Sequence, residues 1–580
     1  MQHTRRRAGI PPTIVDNGEV TSMPAASPAD TPALRKARGA YFTPAAITEF
    51  IASWAVRSAA DRVLEPSAGD AAFLIAALHR LQTLAPDQPT GEPAPQAPTV
   101  HGVEIHPESA ELARARVAAA GGRAEVHTSD FFRLLPTGDY DTVIGNPPFI
   151  RYQGFTGENR ARAREAALRG GVALSGLASS WAAFTVHAAL FLRPGGRLGL
   201  VLPAELLTVN YAAPVRTFLF EHFRSVELVL FEEQVFPGAE TEVVLLLADG
   251  YQEGPSAHAT IRQAKNPADL ATLAPGQHWT PANPAAKWID SLVSPAATEA
   301  VRTQLATGRF CELETWGDTT LGTVTGNNKY FTLSAARAAE LGLNRRDLRR
   351  VSPPGSAHLR GLTLSPALMR RLTAEGKSTQ LFHPREPLSA AAAAYIEAGE
   401  RTGVDEAYKC RVRRTWYSVP LLEPADLLLT CMNADTPRLT TNSARAHHLN
   451  SVHGVYLRAE HRELGCELLP LASLNTVTML HAELVGRSYG GGILKLEPRE
   501  ADRWAVPSPE LVASAAEALR TIRPKVARLL AAGHRTEATA LVDEALLLKT
   551  GHLTPAELEQ VRTAREAMVS RRTIRGSSGR

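Results

Sequence analysis

The chain has 580 residues, 44% hydrophobic and 21% charged, with a net charge of +4. Domains run to ~100–200 residues, so two or three are expected and global disorder is excluded. No apolar run approaches the ~18–20 residues of a membrane span. Arg5, Arg6 and Arg7 are followed by no apolar stretch of the kind a secretory signal needs. Four scattered cysteines (Cys311, Cys410, Cys431 and Cys466) form no CxxC pair. That excludes a disulfide scaffold and a standard zinc site, so no metal is expected and a reducing cytoplasm is. Residues 1–250 hold 22 Lys and Arg against 26 Asp and Glu; the remainder holds 41 against 33. An acidic front and a basic back suggest a polyanion bound mainly by the second half.

Residues 1–33, rich in Pro, Ala, Thr and Ser, read as a disordered extension. From 34 to 250 short apolar strands alternate with helices. Strands are predicted at 62–64, 99–105, 141–145, 196–202 and 242–248. Helices follow the first two, from Ala71 and over 107–120. This βαβ rhythm predicts a doubly wound α/β sheet. The segment 84–99 carries five prolines and reads as a surface loop. Residues 251–310 read as a Pro/Ala-rich connector. Residues 311–508 mix short elements with arginine clusters. Residues 509–580 carry helical spacing and end in a basic, fraying tail.

Four strand ends carry chemistry. The first runs through Glu65-Pro66-Ser67-Ala68-Gly69, a turn whose backbone can approach a ligand. The second is Glu104-Ile105, where a carboxylate can accept from two ribose hydroxyls. The third is Asp130-Phe131, an acid and an aromatic suited to an adenine. Each alone reads equally well as an ordinary turn, a solvated acid or a helix cap. The fourth is Asn146-Pro147-Pro148-Phe149. Two prolines cannot continue a ladder, so they stiffen the backbone and leave carbonyls unpaired. The Asn146 amide oxygen and the Pro147 carbonyl can then accept from one exocyclic amino group, with Phe149 as a stacking platform. A conjugated amine is a poor nucleophile because its lone pair is delocalised. Two acceptors favour the pyramidal geometry that exposes that lone pair, as methyl transfer needs.

In order and spacing these pieces resemble the gamma-class N6-adenine DNA methyltransferases, of the Taq-methylase type, over residues 34–250. The resemblance implies a Rossmann-like class I methyltransferase sheet that uses S-adenosyl-L-methionine. Phe42, Thr43 and Pro44 look like the motif that closes over the methionine end of the cofactor. Glu65, Pro66, Ser67 and Gly69 correspond to the cofactor turn, Glu104 and Ile105 to the ribose position, and Asp130 and Phe131 to the adenine position. Asn146, Pro147, Pro148 and Phe149 match the catalytic motif, with Asn146 also bordering the cofactor. Phe236 corresponds to the aromatic that sandwiches a flipped base. Ala71 departs from the pattern by standing where a second glycine is usual, and His106 by standing where an acid commonly follows Glu104.

The target base must leave the stack to be reached. Arg151, Arg160 and Arg162 follow the catalytic motif and are candidates for phosphate contact, either on a mobile loop or on a solvated helix. In the back half Lys329, Arg411, Arg413 and Arg414 interleave with aromatic residues and are candidates for DNA contact. The resemblance implies a mixed α+β target-recognition domain over 311–508, then the helical segment 509–580. The expected partner is double-stranded DNA; the enzyme acts either beside a cognate restriction endonuclease in a restriction-modification system or as an orphan methylase. The chain is expected to be a cytoplasmic monomer that binds no membrane. No nuclease cluster is found, and the front extension is too short to hold one. Two alternatives share the motif or the charge: a protein glutamine methyltransferase and a non-catalytic DNA-binding specificity subunit. Cytosine N4 is a further chemical possibility, being also a conjugated amine.

Overall fold

Strands form a single sheet through the first half of the chain: β1 Val63–Glu65, β2 Thr99–Glu104, β3 Arg123–Thr128, β4 Tyr140–Gly145, β5 Leu192–Pro203, β6 Phe223–Phe231, β7 Val243–Tyr251, β8 Ala259–Ala264 and β9 Gln277–Trp279. The computed structural model describes residues 43–85, 97–236, 242–281, 283–489 and 491–577. The expectations for 1–33, for Phe42 and for most of the proline-rich loop lie outside the described residues. The strand order is β3-β2-β1-β4-β5-β7-β6-β8-β9. β1 to β5 pair in parallel. β7 runs antiparallel between β5 and β6.

Side chains alternate along each strand. Leu64, Val143, Leu198, Leu200, Val244 and Leu246 enter one apolar cluster. Val63, Ile144, Val201, Val243 and Leu245 enter the cluster on the opposite face. Helices α1 (Ala45–Ala55), α2 (Ala72–Leu84) and α3 (Pro107–Ala119) cover the second face. Helices α4 (Gly157–Arg169), α5 (Ser180–Ala189) and α6 (Ala213–His222) cover the first. With both faces covered, a strand such as β7 reads as an unbroken apolar run. This is the doubly wound α/β sheet expected.

The expected boundaries shift in three places. First, the connector proposed for 251–310 holds structure. β8 pairs in parallel with β6, from Val226↔Ala259 to Phe231↔Ala264, and β9 adds to β8. These strands cover an otherwise open edge. Thr260, Arg262 and Gln263 in β8 and Gln277 and His278 in β9 leave no apolar run, which is why the apolar rhythm missed them. The chain passes between the halves at 288–293, where Trp288 belongs to the front cluster and Val293 to the rear one. Arg216, 1% exposed, fastens this passage by donating to the carbonyls of Leu206, Val209 and Ala285 at 2.8–3.0 Å.

Second, 509–580 is not separate from 311–508. One apolar cluster runs from Val293 to Met568. It joins the antiparallel strands Gly317–Leu321, Val452–Leu457, Leu427–Thr430 and Leu439–Thr441 to the helices Arg462–Ala472, Thr476–Val485, Ala516–Ala531 and Pro555–Ser577. Third, the tail does not fray at its first arginines. Arg572, 3% exposed, grips both oxygens of Glu483 at 3.0 and 3.1 Å. It also donates to the carbonyls of Ala434, Asp435 and Gly492.

Removing one partner of a buried ion pair strands the other charge, which costs ~3–5 kcal/mol. Arg572→Ala is therefore expected to lower the melting temperature of the rear half by roughly 10 °C. A calorimetric scan showing no change would contradict the clamp.

Candidate active site at the strand ends

Where the parallel strands of the sheet end, their backbone groups run out of ladder partners. The turn after β1 supplies them. Gly69 and Ala71 adopt left-handed φ values of +49° and +68°. An alanine there costs about 1 kcal/mol relative to glycine, which is the physical content of the departure at Ala71. The turn directs the Ala68 N–H to the Val103 carbonyl at 2.9 Å. It directs the Gly69 N–H to Glu104 Oε2, also at 2.9 Å. Glu104 Oε1 accepts from the His106 N–H at 2.9 Å. Arg116 of α3 pins the far side of the turn, donating to the Asp70 carbonyl at 2.6 Å. The ends of β1 and β2 are thus fastened to one turn.

The candidate cofactor residues divide. Glu104 is 8% exposed, with one N–H on each oxygen. A carboxylate has about four lone-pair sites, so capacity remains for a diol. Ile105 holds an apolar side chain out at the same strand end, 57% exposed. A Cβ added at Gly69 would meet only the Ser67 carbonyl oxygen, at 3.9 Å, so the turn is open on that side. These residues fit a nucleoside: hydroxyls on Glu104, a heteroaromatic face on Ile105.

Glu65 does something else. It is buried and accepts from the Leu74 N–H at 3.1 Å, bracing α2. Burial, and then the charge of Asp70, push its carboxyl well above the usual range. Phe131 also departs from expectation. Its ring is 3% exposed and packs on Phe184, Phe191 and His187, with centroids at 5.2, 5.1 and 4.6 Å. An aromatic following a strand can turn inward or outward, and here a waiting aromatic cluster draws it in. Asp130 accepts from the Phe132 N–H at 3.1 Å and from Arg162 Nε at 3.2 Å.

The Asn146–Phe149 turn sits beside these groups. Asn146 Nδ2 donates to Thr43 Oγ1 at 3.2 Å, bringing the Thr43-Pro44 motif onto the catalytic motif across 103 positions. That bond orients the amide with Oδ1 as its acceptor end. The Asn146 carbonyl accepts from the Ser67 hydroxyl at 3.2 Å. The Pro148 carbonyl accepts from the Ser180 hydroxyl. The Ile150 carbonyl accepts from the Ser180 N–H at 3.0 Å. Among the described residues, the Pro147 carbonyl has no internal donor. It is the carbonyl that the sequence reading expects to accept from an exocyclic amino group. Phe149 is half-buried between the two front clusters. Phe236, expected to display its ring, is 3% exposed within the cluster behind it.

The basic candidates also sort themselves. The stretch after the motif forms helix α4, packed through Ala163, Ala166 and Ala167. Arg160 donates to the carbonyls of Tyr152 and Phe155, both at 2.5 Å. Arg162 is held by Asp130 and Glu158. Neither is presented for phosphate, because local acceptors take the guanidiniums; Arg151 is exposed. In the back half Arg413 is structural. It donates to the carbonyls of Val324 at 2.7 Å, Thr325 at 2.8 Å and Trp416 at 3.2 Å, and covers Phe331. Lys329, Arg411 and Arg414 are exposed. Tyr408 and Val412 stand out between these last two and Lys409, 65% and 59% exposed. The sequence reading missed Ser180 and Phe184. A serine pair before a helix signals only a cap, and Phe184 lies in an ordinary apolar stretch.

Comparison with known proteins bears on this geometry. Residues 30–261 match the N-6 DNA Methylase family. Residues 285–547 match the C-terminal domain of the type II methyltransferase M.Eco57I. The type II methyltransferase M.XamI of Xanthomonas campestris pv. amaranthicola is 27% identical over 489 residues, 81% of this chain and 85% of that protein. M.AccI of Acinetobacter calcoaceticus is 22% identical over 63% of this chain and 68% of its own length. The fold resembles that of the type IIL restriction-modification enzyme MmeI, at a TM-score of 0.54 and 11% identity over 90% of this chain and 73% of that one.

The front half therefore belongs to the N-6 DNA methylases and the back half to the M.Eco57I-type C-terminal domain. The chain is a sequence-specific, adenine-N6 DNA methyltransferase of the type II class. The glutamine-methylating and non-catalytic alternatives find no support in these matches.

Two predictions follow from side chains assigned above. Arg413→Ala leaves three carbonyls without their donor, so its melting temperature is expected to fall by several degrees, at ~1–3 kcal/mol. Arg414→Ala is expected to melt normally while lowering the slope of log affinity for DNA against log salt by ~0.9. The reverse pattern would contradict the assignment. His187, fully buried beneath Phe131, is pushed down to about 4 by burial. The unfolded chain takes a proton there below pH ~6.5 and the folded chain does not. Stability is full above pH ~6.5 and lost on acidification towards 4. In urea unfolding between pH 7 and 5, His187→Gln is expected to flatten the acid limb by ~1.4 kcal/mol per pH unit. An unchanged limb would place the titration elsewhere.

Proposed function

We propose that the strand-end cluster of the front half performs the methyl transfer and that the back half reads the DNA sequence. Glu104 and Ile105 hold the nucleoside part of S-adenosyl-L-methionine, Gly69 lets the backbone approach it, and Asp130 faces its adenine. Thr43 and Pro44 cover its methionine end. The bound cofactor supplies an electrophilic methyl group on a sulfonium.

Asn146 Oδ1 and the Pro147 carbonyl accept the two hydrogens of the flipped adenine's amino group. Drawing on both hydrogens draws the nitrogen out of conjugation and turns its lone pair out of the ring plane. Phe149 stacks on the base and holds it against the acceptors. As the N–CH3 bond forms, the S–CH3 bond breaks to leave a neutral thioether. The charge developing on nitrogen is stabilised by two fixed dipoles, which need no reorganisation during the reaction. The methylated nitrogen then releases one hydrogen as a proton to solvent. What supports this reading is the hydrogen-bond accounting of the turn: among the described residues the carbonyls of Asn146 and Pro148 are taken internally and that of Pro147 is not.

The exposed Lys329, Arg411 and Arg414 contact DNA phosphates, with Tyr408 and Val412 as apolar contacts between them. On the same reading the chain works as a cytoplasmic monomer on duplex DNA. A cognate restriction endonuclease acts at the same sequence.

Asn146→Ala is expected to lower kcat by ~100–1000-fold or more, the scale of losing one directed transition-state partner. Its calorimetric affinity for S-adenosyl-L-methionine should fall by less than about tenfold, through the lost Nδ2 bond to Thr43, so that the main loss lies in kcat. A variant that methylates at near-normal rate would sink the acceptor role.

A further inference from the structure

We propose that Ser180 is the positioning residue of the catalytic turn, fixing the Pro148 carbonyl and so setting the direction of the Pro147 carbonyl and the Phe149 ring. The inference rests on the reading of Asn146–Phe149 as the site of transfer. The Ser180 hydroxyl donates to the Pro148 carbonyl and accepts from the Ile150 N–H at 2.9 Å. Its own N–H donates to the Ile150 carbonyl at 3.0 Å. One residue thus binds the chain on both sides of Phe149.

The anchor is rigid. Ser180 is 1% exposed, and every residue of α5 is buried in the front core. As the first residue of that helix it carries an N–H with no partner inside the helix, which the Ile150 carbonyl takes. Behind it Tyr211 donates to Glu205 and accepts from the Ser179 hydroxyl at 3.0 Å, and Trp181 donates to Tyr211 at 3.1 Å. The turn itself has little that could replace the clasp. Pro147 and Pro148 have no N–H to donate, so their peptide planes cannot be fixed by ladder bonds of their own. The proline rings set φ, and only a bond to the carbonyl can set where it points.

The clasp also closes the base of the excursion 151–179, which contains α4 and the exposed Arg151. Movement of that segment against DNA would reach the turn only by breaking hydrogen bonds to Ser180. The turn therefore keeps its aim while the segment beside it adapts.

The test uses the full chain and compares Ser180→Ala, Ser180→Thr and Asn146→Ala. The readouts are calorimetric affinity for S-adenosyl-L-methionine, duplex binding and the single-turnover methylation rate. Ser180→Ala is expected to lose ~10–100-fold in rate, the scale of a misplacement near 1 Å. Both affinities should stay within about threefold, because the clasp serves aim rather than binding. Ser180→Thr keeps the hydroxyl and should recover most of the rate. A Ser180→Ala rate within twofold of wild type, beside an inactive Asn146→Ala, would overturn the inference and leave the site reading standing. An active Asn146→Ala would overturn the reading and the inference with it. Should Ser180→Ala not fold, Ser180→Cys decides: its weaker donor should give an intermediate rate, and a wild-type rate would overturn the proposal.

Discussion

Every backbone carbonyl and N–H at the end of a parallel strand must find a partner once the ladder stops. In this protein that constraint shapes the site. The turn after β1 spends its N–H groups on Val103 and Glu104, and the Ser67 hydroxyl on the Asn146 carbonyl. Ser180 takes up the carbonyls of Pro148 and Ile150. Among the described residues, the Glu104 carboxylate keeps spare lone pairs and the Pro147 carbonyl takes no internal donor. On the proposed reading, binding and chemistry both begin from these two groups. A less complete network would leave competing acceptors near the target nitrogen, and the directed pair would lose its selectivity.

The rest of the molecule keeps this arrangement rigid and joins it to the back half, which on the proposed reading reads the DNA. The two front clusters hold the sheet from both faces, so the strand ends cannot drift apart. Arg216 and Trp288 fasten the passage into the back half. There Asp435 gathers Arg360, Arg438 and Arg535 at 2.5–3.3 Å. Burial opposes its charge, but the Thr436 N–H and these guanidiniums hold its carboxyl well below the usual range. Many of the arginines that make the back half basic are committed to such internal work. Net charge therefore overstates the surface offered to DNA, and Arg413 shows how: a cation in a basic run that stitches three carbonyls.

What was legible in the sequence follows from this. Motifs that demand a residue type for backbone reasons could be read: Gly69 for its left-handed turn, the two prolines for their missing N–H groups, Asn146 for its amide. The strand rhythm was legible because both faces of the sheet are buried. The direction of a side chain was not. Phe131 and Phe236 turn into the core although their positions suited a platform, and nothing local distinguishes the two outcomes. Arg160, Arg162 and Arg413 looked like phosphate ligands because the carbonyls and carboxylates they meet are set by tertiary packing. β8 and β9 escaped because their short, polar-rich segments at the end of the sheet carry no apolar run. Ser180 escaped because its partners lie thirty positions upstream, across a helix.

On the proposed mechanism Asn146 Oδ1 and the Pro147 carbonyl together hold the target amino group. The most direct measurement is the structure of the full chain with duplex DNA carrying its recognition sequence and a non-reactive analogue of the cofactor. The account predicts the flipped adenine's N6 within ~2.7–3.2 Å of both oxygens, with the Ser180 bonds to Pro148 and Ile150 unchanged. An N6 bonded instead to the Pro148 carbonyl, or to neither oxygen, would contradict it.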